Sequence, residues 1–123
     1  MNLESQLQQR LLLSAPSRLP DIRFFRRNVG KVKVTRKDGK EYTMRFALPG
    51  QCDLYGITRG GRHLECELKG PGKKLEPDQV KWRDWCLEWR IPHIVLTAQK
   101  NELETQTVER WLDELGALLA HKS

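Results

Sequence analysis

Residues Pro49 to Gln79 read PGQCDLYGITRGGRHLECELKGPGKKLEPDQ, and the rest of the chain can be placed around them. Apolar and polar residues alternate in Gln51–Gly56 and again in His63–Lys69, which is typical of strands that bury one face. The Gly60-Gly61 pair between them indicates a turn. The segment therefore predicts two paired strands, followed by a glycine-rich loop and the start of a helix.

The second of these strands carries charged residues on one face. Leu64, Cys66 and Leu68 alternate with Glu65, Glu67 and Lys69. Because successive strand side chains point to opposite faces, the three charged groups project together, away from the apolar set. Asp53 lies on the neighbouring predicted strand. This grouping of acids suggests a site for a divalent metal ion.

Toward the N-terminus, Leu3, Leu7 and Leu11 are spaced for one face of a helix that Asn2 can cap. Pro16 and Pro20 interrupt that pattern, and the segment Ile22–Phe25 is expected to be extended. Lys31–Thr35 and Tyr42–Leu48 then flank Asp38-Gly39, which is a strong signal for a β-hairpin.

Toward the C-terminus, Pro77 opens a predicted helix at a position where its missing N–H costs little. Trp82, Trp85 and Trp89 recur at helical spacing, and we expect them to pack against the sheet. His93–Thr97 resembles a short buried strand. A final amphipathic helix is predicted from the spacing of its apolar residues, Val108, Trp111, Leu112, Leu115, Leu118 and Leu119.

The predicted order is α-β-β-β-β-α-β-α, which indicates an α/β (α+β) domain with a mixed β-sheet flanked by helices. The passage Leu64–Thr97 fits a right-handed strand–helix–strand crossover. A chain of 123 residues suits one domain, so residues 1–123 are predicted to form a single unit.

The net charge of +6 and the pI of about 9.5 favour an anionic partner, with nucleic acid first and an acidic membrane surface second. Nine Lys and Arg residues against two acids occur between Arg23 and Arg45, whereas residues 101–123 hold five acids against two bases. Three cysteines without close spacing argue against a disulfide framework and a zinc site. No signal peptide or membrane span is recognisable, so we expect a cytoplasmic protein.

The acid cluster suggests metal-dependent phosphodiester hydrolysis, in which a metal offsets transition-state charge and activates water. Mg²⁺ prefers oxygen ligands and keeps several waters. Asp53, Glu67 and the backbone carbonyl of Leu68 can supply such oxygens. Lys69 can orient the attacking water, help to deprotonate it, or stabilise developing charge. Gln79, at the start of the following helix, can reach over the strand ends to a metal-bound water or a phosphate.

Each of these residues also has a purely structural interpretation. A Glu-x-Lys pair on a strand is commonly a solvated ion pair without any chemistry. Glu65 is expected to be an exposed charge at the edge of the site, and His63 and His93 to be ordinary histidines. The basic residues near the acids can be solubilising, although their concentration there suits phosphate binding. They are Arg26, Arg27, Lys31, Lys33, Lys73 and Lys74.

Four motifs in order resemble the VRR-NUC domain, a branch of the PD-(D/E)xK nuclease superfamily. The resemblance runs from Glu4 to about Thr97 and looks like the stand-alone form of phages and bacteria. The proline that usually precedes the first acid is Cys52 here, but Asp53 still supplies the ligand. The motifs are Phe25–Gly30, Leu48–Leu54, Glu65–Lys69 and Gly72–Gln79.

The resemblance implies a restriction-endonuclease-like fold in which Asp53 and Glu67 bind the metal and Lys69 is the catalytic lysine. Gln79 becomes the helix glutamine beside the site, and Glu4 the first-helix acid that completes it. It further implies a homodimeric endonuclease, dependent on Mg²⁺ or Mn²⁺, that cuts branched DNA such as four-way (Holliday) junctions in a bacterial or phage-infected cell. No small-molecule cofactor and no membrane partner are expected.

Two other functions stay open from the sequence. A catalytically silent nucleic-acid-binding module would use the basic hairpin and keep the acids for structure. A small interaction domain would dock a protein through the tryptophan-bearing helix. Metal-dependent cleavage separates the nuclease from the first of these, and salt-dependent DNA affinity separates both from the second.

Overall fold

The computed structural model describes residues 2–27, 31–45 and 48–120. Within these ranges the chain forms three helices and six strands. The order of elements confirms the predicted mixed α/β class, and the extended segment after the first helix is itself a strand. The elements are α1 Leu3–Arg18, β1 Ile22–Arg26, β2 Lys31–Thr35, β3 Glu41–Arg45, β4 Leu54–Thr58, β5 His63–Lys69, α2 Pro77–Glu88, β6 His93–Thr97 and α3 Glu104–Ala120.

Four strands form a mixed sheet in the order β1-β4-β5-β6. β1 pairs with β4 and β4 with β5 in antiparallel fashion, whereas β5 and β6 are parallel and are connected through α2. This parallel pair is the predicted strand–helix–strand crossover. β5 therefore lies inside the sheet, with both of its edges hydrogen-bonded to a neighbouring strand.

The two faces of β5 meet different surroundings. Leu64, Cys66 and Leu68 point into a hydrophobic core whose helical part includes Leu11 of α1 and Trp111 of α3. The opposite face carries the charged residues, and these are buried as well. The sequence pattern placed the charged residues on one face of β5 correctly. It predicted that this face is solvated, but the structure covers the sheet on both sides.

The hairpin of β2 and β3 forms a separate two-stranded sheet. Its register pairs Val34 with Tyr42, and Gly39 adopts a φ of +86° in the connecting turn, a conformation that glycine accepts without steric cost. The hairpin prediction is confirmed, and its side chains from residue 33 to residue 44 are mostly exposed. No helix within the described ranges combines the length and apolar character needed to cross a membrane.

The expectation that the tryptophans of α2 pack against the sheet is wrong for two of the three. The exposed fractions of Trp85 and Trp89 are 41% and 65%. Cys86 is the buried residue of this helix, and Trp82 is half-buried. Sequence spacing places the indoles on one side of the helix, but the rotation of the helix on the sheet leaves the outer two in solvent.

Candidate active site

Asp53 and Glu67 lie opposite each other on neighbouring strands. The register of β4 on β5 pairs Leu54 with Cys66, so its continuation by one residue sets Asp53 across from Glu67. The Asp53 backbone N–H donates to Glu67 Oε2 at 3.4 Å. The predicted pair of acids is therefore brought together by strand pairing.

Glu4 approaches the same site from α1. Its first-turn position follows the N-cap Asn2, whose side chain accepts a hydrogen bond from the Ser5 N–H. Glu4 Oε1 accepts a hydrogen bond of 3.0 Å from the Gly70 N–H, just beyond β5. Glu4, Asp53 and Leu68 all line one small polar cavity of about 130 Å³.

Gln79 forms a direct hydrogen bond with Glu67. The sequence predicted that it reaches over the strand ends to a metal-bound water or a phosphate. Its Nε2 donates to Glu67 Oε1 at 2.6 Å, while its Oε1 accepts from the Glu76 N–H at 2.8 Å in a capping box. Gly50, with a φ of +88°, lets the chain pass beneath the start of α2. A Cβ at Gly50 would lie 2.2 Å from the Asp78 carbonyl oxygen.

Lys69 closes the site at the end of β5. Its exposed fraction is only 8%, and it shares the strand face of Glu67. Its positive charge acts to lower the pKa of both Asp53 and Glu67. The structure thus brings Lys69 close enough for its charge to act on both carboxylates.

The acids nevertheless keep an excess of negative charge. Burial, followed by the charge of Glu4, raises the pKa of Asp53 above its usual value. Burial, followed by the charge of Asp53, raises the pKa of Glu67 to about 7. Three carboxylates thus influence one another in partly desolvated surroundings, where the charges of Lys69, Arg26 and Lys73 offset them only in part.

Glu65, two residues before Glu67 on β5, has different surroundings. Glu65 is 0% exposed, so the prediction that it is an exposed charge is wrong. Arg27 Nη1 and Nη2 donate to its two oxygens at 2.5 and 2.8 Å, Trp82 Nε1 donates at 2.9 Å, and His63 Nε2 also contacts it. Burial alone would raise the pKa of Glu65, but the hydrogen bonds from Arg27 and His63 hold it below its usual value.

Arg27 connects this buried pair to the candidate metal ligand. Its Nη1 also donates to the Cys52 carbonyl at 2.9 Å, and its backbone N–H donates to the Asp53 carbonyl at 2.7 Å. The guanidinium lies over the Tyr55 ring, and its side chain is 16% exposed. Because both terminal nitrogens are engaged, we place Arg27 with the residues that position Asp53 and leave it out of the candidate phosphate contacts.

The remaining predicted phosphate contacts lie nearer the surface. Arg26, Lys33, Lys73 and Lys74 are exposed, and Lys73 Nζ lies 3.5 Å from Glu4 Oε1. The side chain of Lys31 falls outside the part of the molecule that the structure describes. Arg26 also acts to lower the pKa of Asp53, so its charge is close enough to be felt at the site.

The donors present suit a hard cation, although they are not assembled into a closed cage. Within residues 2–27, 31–45 and 48–120, no group of three or more His, Cys, Asp or Glu side chains is arranged to hold a metal ion. Mg²⁺ commonly takes one or two carboxylates and keeps its remaining waters. Asp53, Glu67 and the Leu68 carbonyl are of that type, and the raised pKa values mark negative charge that a cation would offset.

Sequence reasoning missed the bonds that Glu65 receives from Arg27, His63 and Trp82. The available signal was the alternation in β5, which puts Glu65 on the face of Glu67, combined with a crossover helix that must cover that face. Arg27 gave no comparable signal, because it lies in a run of basic residues that reads equally well as a surface.

Comparison with known proteins adds little to this geometry. No protein-family model matches the chain, and no curated protein matches it. A crystal structure described as paFAN1 bound to 1-nt 5′ flap DNA with a gap is 33% identical over 39% of this chain and 9% of that chain, with a TM-score of 0.36. A similarity of that extent supports no argument about fold or activity.

Proposed function

We propose that the protein is a metal-dependent DNA endonuclease that hydrolyses phosphodiester bonds at the Asp53–Glu67–Lys69 site. The observation that carries the proposal is the grouping of Glu4, Asp53 and Glu67 near the buried Lys69, with Glu4 and Asp53 lining a small polar cavity. Uncompensated carboxylates of this kind are destabilising in an isolated protein. They are common where chemistry needs them.

The residues divide the work as follows. Mg²⁺ or Mn²⁺ bound by Asp53, Glu67 and the Leu68 carbonyl would act as a Lewis acid toward the phosphate. Lys69 Nζ orients the attacking water or stabilises the negative charge that develops on the phosphate oxygens. Gln79 fixes the rotamer of Glu67 through its 2.6 Å hydrogen bond.

DNA would be held by the surface cations. Arg26, Lys33, Lys73 and Lys74 are exposed and can meet backbone phosphates, Lys73 by giving up its 3.5 Å ion pair with Glu4. The net charge of +6 supports the same partner. Contacts of this kind position the duplex but carry no sequence information, so we expect recognition of DNA shape over sequence.

We further propose that the protein prefers four-way junctions and acts as a homodimer. Both are supported by the resemblance of the motifs and by symmetry, because two equivalent cuts on a two-fold junction need two equivalent sites. Light scattering should give a dimer mass at micromolar concentration. A monomer mass both with and without junction DNA would contradict the homodimer.

The decisive experiment is a cleavage assay on linear, nicked, flap and four-way DNA with and without Mg²⁺. We expect cleavage that needs the ion and that Asp53→Asn and Glu67→Gln abolish. Asp21→Asn is the matched control, because Asp21 is an exposed acid in a surface ion pair with Arg59. Undiminished cutting by either site variant, or full activity in EDTA, would refute the assignment.

The silent binding module is tested in the same assay. Glu65 shows that an acid on β5 can serve structure alone, and that observation favours this second candidate. Salt-dependent DNA binding without cleavage under any divalent ion would establish it.

A further inference from the structure

Trp82 and Trp85 of α2 and the C-cap residue Trp89 form a continuous stack along one side of the helix. The ring centroids of Trp82 and Trp85 are 4.9 Å apart, and those of Trp85 and Trp89 are 5.5 Å apart, with interplanar angles of 17° and 28°. Trp85 and Trp89 are 41% and 65% exposed. Large aromatic rings left in solvent and contiguous with one another are unusual on a monomer unless they bind something.

The inner part of this stack forms one wall of an open groove of about 430 Å³. Its other walls come from the turn before β4 and the first turns of α2. Asp78 is the one acid and Lys81 the one base among the lining residues, so the groove is mainly apolar and close to neutral. The lining residues are Leu48, Pro49, Gln51, Asp78, Lys81, Trp82 and Trp85.

The groove is lined in part by the same helix, α2, that carries Gln79 of the candidate active site. Gln79, which binds Glu67, lies one helical turn before Trp82. Trp82 Nε1 donates to Glu65, two residues from Glu67 on the same strand. At 1.5 Å per residue, Trp85 is about 9 Å along the helix axis from Gln79. The Trp85 indole is therefore within reach of a nucleotide adjacent to one bound at the site.

We propose that this groove binds an unstacked base of the DNA substrate, from a nucleotide that flanks the scissile phosphate. The inference rests on the proposed nuclease function and names the class of substrate: DNA with unpaired or splayed nucleotides next to the cut. Indole faces stack on any base without sequence preference. A near-neutral apolar groove suits an uncharged base, whereas the phosphates meet the exposed cations.

The form of the surface favours a base over a second protein. Charged residues alternate with the indoles along the helix, as Trp82-Arg83-Asp84-Trp85 shows, and at 3.6 residues per turn they flank the row of indoles. Stable protein interfaces need a broader patch, of about 800 Å² per partner. The indoles also lie on the helix that carries Gln79, and base stacking beside the cut requires such proximity to the site, whereas a protein interface does not.

The test compares equilibrium binding to a fully paired duplex and to the same duplex carrying a single-stranded flap, in Ca²⁺. We expect Trp85→Ala to weaken flap binding by about 5- to 150-fold, the value of one lost base–indole stack, and to leave duplex binding unchanged. Trp85→Phe should retain part of the difference. Leu87→Ala is the control, because Leu87 is 58% exposed on the same helix but does not line the groove.

Each other outcome overturns the inference. Equal losses on both DNAs would make Trp85 a general contact, and no loss would leave the groove without a base. Dissociation of an oligomer by Trp85→Ala, seen by light scattering, would assign the row of indoles to a protein interface. The assay measures binding alone, so a selective loss in a protein that never cleaves DNA would refute the nuclease and not the stacking surface.

Discussion

Two carboxylates of β5, Glu65 and Glu67, have opposite electrostatic surroundings. Glu65 and Glu67 are two residues apart, share one strand face and are both buried. The pKa of Glu65 is held below its usual value, while that of Glu67 is raised to about 7. Since burial raises the pKa of both groups, the difference comes from the neighbours.

Glu65 is paired with a cation and further donors, whereas the donors to Glu67 are neutral and two acids lie near it. Arg27, His63 and Trp82 all contact Glu65, whereas Glu67 lies beside Asp53 and near Glu4. A compensated charge fixes structure, and an uncompensated charge is available to a cation or a reaction. One strand thus carries an acid whose charge is compensated by an ion pair and an acid whose charge is offset only in part, and their neighbours distinguish them.

The most severe way to break the comparison is to remove the cation at the Glu65 end. Arg27→Met leaves Glu65 buried without its main partner, so we expect a loss of about 3–5 kcal/mol in the free energy of unfolding. Arg27→Lys should rescue little, because a lysine cannot reproduce the two-pronged contact. The exposed neighbour Arg26→Met is the control and should change stability by less than about 0.5 kcal/mol. Urea denaturation measures all three, and equal stability of the Arg26 and Arg27 variants would contradict the compensated pair.

At the Glu67 end the cation is expected to serve chemistry. Lys69→Met keeps an unbranched side chain and removes the charge, so single-turnover cleavage in Mg²⁺ should fall by about 10²–10³. DNA affinity in Ca²⁺ should fall by no more than the contribution of about one phosphate contact. Lys100→Met, an exposed lysine in a loop, is the control. A parallel fall of affinity and cleavage would make Lys69 a binding residue.

The two acids should respond in opposite directions when each loses its charge. In EDTA, the folded protein binds a proton at Glu67 more readily than the unfolded chain does. Its stability therefore decreases as the pH rises from 4.5 toward about 7. Glu67→Gln should then stabilise the protein by about 2–3 kcal/mol at pH 8 and by nearly nothing at pH 4.

Glu65→Gln should do the reverse. The lowered pKa of Glu65 stabilises the folded state above the unfolded pKa, and that stability is lost as the pH falls. The variant should be less stable than the parent at pH 8, with a smaller difference in acid. Thermal unfolding at the two pH values checks the pair, and effects of the same sign at pH 8 would remove the contrast.

The smallest expected effect concerns the cation that remains at the surface. Arg26→Ala should weaken binding to all duplexes alike and reduce the slope of log K against log salt by about 0.9. Lys100→Ala should leave the slope unchanged. An unchanged slope in the Arg26 variant would assign this arginine to a solvated face.

Most of the fold and much of the candidate site could be predicted from the periodicity of the strands. The alternation of residues in β5 and the hairpin turn at Gly39 depend on neighbours in sequence, so both could be predicted. The meeting of Asp53 with Glu67 followed from the pairing of two adjacent strands. The position of Gln79 followed from the helix start at Pro77.

What could not be predicted depends on how α2 lies on the sheet. The rotation of that helix about its own axis decides that Trp82 reaches Glu65 while Trp85 and Trp89 stay in solvent. No local pattern encodes such a rotation, because the contacts that fix it are distant in sequence. For the same reason Arg27, 38 residues before Glu65, looked like one surface cation among several.

Gln79 takes part both in the cap of α2 and in the candidate site. We therefore expect the first turn of α2 and the candidate site to form together. The same amide that caps α2 through the Glu76 N–H also restrains Glu67. Fraying of the first turn of α2 would release that carboxylate before any of the sheet is disturbed. Amide hydrogen exchange at the start of α2 therefore reports on how often the site is assembled, and tightening this turn offers a route to a more persistent site without touching an acid or the lysine.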